Sequence, residues 1–76
     1  MNRKLNPKRL IACNEVLTPD GRCLIQHVLE ISEGYLADLY PLLQEQGRTE
    51  WLTGRVELRT CDVGRVCAYY KGRLLT

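Results

Sequence analysis

Residues 10–29 read Leu10-Ile11-Ala12-Cys13-Asn14-Glu15-Val16-Leu17-Thr18-Pro19-Asp20-Gly21-Arg22-Cys23-Leu24-Ile25-Gln26-His27-Val28-Leu29. The centre of this stretch is a turn. Proline presets φ for a type I turn, aspartate suits the next position, and glycine takes the left-handed position that closes a three-residue hairpin loop. With Thr18 opposite Arg22, Leu17 faces Cys23, Glu15 faces Ile25, Cys13 faces His27 and Ile11 faces Leu29. Side chains alternate along a strand, so Ile11, Cys13, Leu17, Cys23, Ile25, Leu29 and Ile31 are expected on one apolar face, with Glu15 and His27 as its exceptions. The other face carries Leu10, Ala12, Val16, Leu24 and Val28 among Asn14, Gln26 and Glu30. It is too apolar for a fully solvated surface, so these five residues are expected to be covered by another strand or to form the contact of a homodimer.

Outward from this hairpin the β signals continue. Ser32-Glu33-Gly34 breaks the second strand, and residues 35–40 read as a third strand or as the start of a helix that runs through residues 43–46 and stops at Gly47. Pro41 argues against one long helix, which leaves a strand to Tyr40 and then a loop or a single helical turn from Pro41. Trp51-Leu52-Thr53, Val56, Leu58 and Thr60 restore strand character, with Gly54 as a bulge or bend. Cys61-Asp62-Val63-Gly64-Arg65 repeats the three-residue loop, residues 66–70 form the return strand, and Lys71-Gly72 is a two-residue turn before Arg73-Leu74-Leu75. No βαβ unit is present. The expected class is all-β, a small β-sandwich or half-open barrel built from two hairpins, with residues 10–76 as one domain.

Length and charge exclude whole classes of function. With 76 residues, the chain has room for one small core and none for a catalytic (β/α)₈ barrel of roughly 250 residues or a dinucleotide-binding fold. At 45% apolar and 26% charged it is globular, and charges interrupt its apolar residues too often for a membrane span. Four of the eleven basic residues, Arg3, Lys4, Lys8 and Arg9, fall in the first nine positions, and residues 10–76 carry seven basic against nine acidic groups. Residues 1–9 are therefore expected to form a basic flexible tail, read as a solvated end or, more sharply, as a phosphate-contacting arm. The apolar run after this tail stops at Asn14-Glu15 before a signal-peptide core is complete, so a cytoplasmic location is expected.

The four cysteines have no metal-knuckle spacing: Cys13, Cys23, Cys61 and Cys67 are separated by nine, 37 and five residues. Small buried thiols are the expected reading, ahead of bridges or a metal site. No metal or other cofactor is expected. His27 is the single histidine, and its cross-strand position beside Cys13 makes a thiol–imidazole pair conceivable. A hydrogen-bonded core or edge histidine satisfied by Glu15 is the simpler account. With no phosphate loop, paired-carboxylate motif or H-E-x-x-H, the chain is expected not to be an enzyme.

The second hairpin carries a rival function. With Cys61 opposite Arg65, Arg59 faces Cys67, Glu57 faces Tyr69 and Arg55 faces Lys71, which gathers Arg55, Arg59, Tyr69 and Lys71 on one face. Cations around an aromatic ring suit single-stranded nucleic acid, whose bases stack while its phosphates are held. Glu57 in the middle of the group favours a salt-bridged strand face instead.

Two blocks of the chain also resemble a known family. Residues 10–40 are similar to the opening β segments of the amidohydrolase superfamily of metal-dependent hydrolases, through the T-P-D-G turn and Val28-Leu29-Glu30-Ile31-Ser32-Glu33-Gly34-Tyr35-Leu36. Val66-Cys67-Ala68-Tyr69-Tyr70-Lys71-Gly72-Arg73-Leu74-Leu75 resembles the strand with which those enzymes return to that β domain after their barrel. His27 matches none of the family's metal-binding histidines, because it lies within the hairpin. The resemblance implies a free-standing accessory β-sandwich without the catalytic barrel, acting by homo-oligomerisation or by binding a protein or ligand.

Overall fold

The computed structural model describes residues 8–44 and 47–76. The expected basic tail lies outside the described residues except for Lys8 and Arg9, and Arg9 is already the first residue of a strand. Six strands follow: β1 (Arg9–Leu17), β2 (Cys23–Ser32), β3 (Tyr35–Pro41), β4 (Thr49–Asp62), β5 (Arg65–Tyr70) and β6 (Arg73–Leu74). They form one sheet in the order β3-β2-β1-β4-β5-β6. The class is all-β, as the sequence predicts. Two antiparallel meanders meet at a parallel β1–β4 pair, and β3 packs against β5 although the two share no ladder, so the sheet curls into a half-open barrel.

The first hairpin has the expected register throughout, including Ile11 opposite Leu29, Cys13 opposite His27 and Leu17 opposite Cys23. Its loop closes through hydrogen bonds from Gly21 N–H to the Thr18 carbonyl at 3.0 Å and from Thr18 N–H to the Arg22 carbonyl at 2.8 Å. The β2–β3 and β5–β6 turns are two-residue loops, Glu33-Gly34 and Lys71-Gly72. Both central residues have positive φ in each, the type I′ geometry whose twist matches that of paired strands.

Strict alternation fails at one level of the sheet. The core contains Ile11 and Cys13 of β1 but then Val16, and on β2 it takes Leu29 and Ile31 with Leu24 packed against them. The cause is a corner. Between Cys13↔Leu52 and Glu15↔Arg55, β4 spends one residue more than β1, and Gly54 at φ +105° absorbs the excess. Gly54 N–H donates to Asn14 Oδ1 at 2.7 Å, the Tyr70 hydroxyl donates to the Thr53 carbonyl at 2.7 Å, and Gln26 on β2 turns to φ +52°. The bulge expected at Gly54 is present, and it exchanges the two faces above this level. Ile25 and Cys23, expected inside, are exposed.

The same corner corrects the expected dimer face. Val16 belongs to the core and Leu24 packs against it, while Ala12 and Val28 are buried within this one chain and Leu10 is half-buried. The five residues do not form one surface. Ala12 and Val28 face away from the core cluster. The chain passes from β3 at one edge of the sheet to β4, beyond β2 and β1. Pro41 also differs from expectation: it ends β3 opposite His27, tolerated because β3 is an edge strand and needs no donor there. Leu42 N–H then donates to the Gln26 carbonyl at 2.9 Å. No helix occurs among the described residues.

The open end of the core is closed by the last residues. Leu75 is buried in the cluster, its N–H donating to the Ala68 carbonyl at 2.8 Å. Arg9 donates two hydrogen bonds to Glu50, at 2.8 and 2.7 Å, and one to the Thr76 backbone oxygen at 2.6 Å. The paired guanidinium holds the Glu50 carboxyl below its ordinary pKa, and the carboxylate raises that of Arg9.

Candidate functional site

Above the corner, the face turned away from the core lies open across five strands. One cross-strand row runs Cys23, Leu17, Glu57, Tyr69, Leu74, and a second runs Ile25, Glu15, Arg55. Ile25 is 62% exposed and Leu74 44%, which leaves large apolar side chains uncovered at opposite sides of the patch. Charges between them are paired by sign: Arg55 Nε lies 3.1 Å from Glu15, and an Arg59 terminal nitrogen lies 2.9 Å from Glu57. The Arg59 guanidinium also sits over the Tyr69 ring, 4.5 Å from its centre.

Three of the four residues expected to form a basic face therefore share this surface. Arg55, Arg59 and Tyr69 are on it, each cation beside a carboxylate. Lys71 is not opposite Arg55. Strand β5 ends at Tyr70, Lys71 enters the type I′ turn, and its ammonium lies 5.4 Å from the Tyr70 ring centre. The hairpin register holds from Val56↔Tyr70 to Thr60↔Val66 and then slips, so that Asp62, not Cys61, pairs with Arg65.

That hairpin also corrects the cysteines. Cys61 and Cys67 form a disulfide with their Cα atoms 5.9 Å apart, while Cys13 is free and buried and Cys23 is free and exposed. Arg59 opposite Cys67 makes Cys61 a diagonal neighbour of Cys67, within bridging range. The expected register already contained this proximity; spacing along the chain hid it.

The Cys13–His27 juxtaposition exists in the ladder, but its chemistry is that of a buried thiol. Burial pushes the Cys13 thiol up to about 11, and its sulfur lies 3.3 Å from the Glu15 carbonyl. His27 Nδ1 lies 3.1 Å from the Ile25 carbonyl, which makes Nδ1 the protonated nitrogen, and Glu15 is engaged with Arg55 instead of His27. Among the described residues, no three His, Cys, Asp or Glu side chains gather to hold a metal ion, and no helix is long and apolar enough to cross a membrane. Compared with protein families, curated proteins and solved structures, the chain matches none.

Proposed function

We propose that the chain is a non-catalytic β module that acts by associating with a second copy of itself through the open face above the corner. The observation that carries this reading is the pattern of that face. Exposed Ile25 and Leu74 flank the ion pairs Glu15–Arg55 and Glu57–Arg59, so the patch presents both signs of charge in alternation with apolar surface. A two-fold contact lays one patch on an identical one. A surface of single sign would repel its own copy, whereas alternating signs can match it. A small core gains from the added burial.

The role fits the resemblance to the accessory β domain of amidohydrolases, whose two blocks here lie in one sheet on either side of β4. The cytoplasmic location expected from the sequence sits uneasily with the Cys61–Cys67 bond, which suits an oxidising compartment better.

Nucleic-acid binding is the second reading, favoured by the Arg59–Tyr69 stack and weakened by the carboxylate beside each arginine. Sedimentation velocity over a micromolar concentration series separates the two. Self-association is expected for the wild type and its loss for Ile25→Asp and Leu74→Asp, with circular dichroism unchanged. A wild type that stays monomeric, but binds single-stranded oligonucleotides with steep salt dependence, would establish the rival.

A further inference from the structure

Strands β3 and β5 approach each other across the open side of the barrel without a hydrogen-bonded ladder. Side chains must hold this seam. At one end Tyr35 of β3 meets the tip of the second hairpin: the Arg65 guanidinium sits over its ring, 4.5 Å from the centre, and its hydroxyl lies 3.5 Å from Asp62 Oδ2. Further along, Leu36 and Leu39 from β3 and Val66 from β5 pack against the common core.

Asp62 and Arg65 both lie inside the short loop that the Cys61–Cys67 bond closes. We infer that this disulfide is a redox latch: it fixes the hairpin tip in the shape that grips Tyr35, and its reduction releases β3 from β5 and opens the seam. The register slip between Thr60 and Asp62 makes the tip irregular, so ladder hydrogen bonds alone hold it less firmly than those of a regular hairpin. Opening would uncover the edge of β3, on which an added extended strand can pair.

The reductant is a low-molecular-weight thiol or dithiol. Cys61 is exposed and Cys67 is 6% exposed, so the incoming thiolate meets the Cys61 sulfur. A new S–S bond forms to Cys61 as the Cys61–Cys67 bond breaks, and Cys67 leaves as a thiolate that takes a proton. A second thiol then displaces Cys61 from the mixed disulfide. Two electrons reach the protein, and two thiols leave as one disulfide.

Hydrogen exchange read by NMR on the whole chain, oxidised and after dithiothreitol, tests the latch. Reduction is expected to accelerate exchange in β3 at least tenfold while the β1–β2 amides stay protected. An acceleration confined to residues 60–67 would mean that the bond staples only its own hairpin, and would overturn the inference. Arg65→Gln with the disulfide intact guards against general unfolding on reduction, and should itself accelerate exchange in β3. Coupling between two sites is reciprocal, so Tyr35→Leu is expected to shift the equilibrium with dithiothreitol several-fold towards the reduced chain. An unchanged equilibrium would equally overturn it.

Discussion

The two hairpins carry nearly the same five-residue loop, Thr18-Pro19-Asp20-Gly21-Arg22 in one and Cys61-Asp62-Val63-Gly64-Arg65 in the other, yet they are held shut by different means. In the first, Thr18 is buried and its hydroxyl contacts Asp20 and accepts from Arg22 N–H at 2.9 Å, and the ladder runs undisturbed to the turn. The Thr18 hydroxyl, followed by Arg22, draws the Asp20 carboxyl below its ordinary pKa. In the second, the ladder slips before the turn, Val63 is fully exposed at the tip, and a covalent bond replaces the hydroxyl network. Similar turn residues thus specify a reversal of the chain but not what secures it. The second closure is the one that a reductant can break, and its tip reaches Tyr35 on the β3 edge of the sheet through Arg65 and Asp62.

The largest difference between the hairpins lies in the core beneath each. Leu29 is fully buried under the first and Val66 only partly under the second. Leu29→Ala should cost about 2–5 kcal/mol and Val66→Ala about 1 kcal/mol, measured by urea unfolding. Equal costs would mean that the two halves share the core evenly. Next, Cys61→Ser with Cys67→Ser removes a constraint on a short loop and should cost about 2 kcal/mol, an effect matched in the wild type by adding reductant. Thr18→Ala should cost about 1 kcal/mol and show no dependence on reductant.

At neutral pH one effect, a dependence on pH, vanishes altogether. The Cys13 thiol is raised from an ordinary value of 9.0 to about 11, so its neutral form is the one the fold accepts. Its contribution is fully present below pH 9, and it falls as pH rises towards 11, because the unfolded chain releases its proton first. Wild type minus Cys13→Ala, compared by thermal melts between pH 8 and about 11, should show that decline. A flat difference would contradict the burial of this thiol.

The sequence displayed the first hairpin almost completely, because Pro19 and Gly21 fix the turn and a turn fixes the register of everything paired to it. It displayed the bulge at Gly54 but not the consequence. A single extra residue in β4 reverses inside and outside on the strands paired beside it, so Val16 joins the core and Ile25 leaves it. Alternation is a local rule, and the parallel β1–β4 pairing that imposes the corner joins segments about forty residues apart. The disulfide was hidden for a related reason: sequence spacing does not display a diagonal across two strands. Arg55, Arg59 and Tyr69 were legible as a shared face. The apolar partners Ile25 and Leu74, which change its character from basic to mixed, come from β2, whose faces the corner exchanges, and from the far edge of the sheet.

If the face above the corner is the contact of a self-associating module, methyl NMR at two concentrations will register its burial. On going from dilute to concentrated sample, the Ile25 and Leu74 methyl groups should lose relaxation by a soluble paramagnetic probe, while those of Leu10 and Val28 below the corner stay unchanged. Relaxation of Ile25 and Leu74 that is independent of concentration would contradict the account.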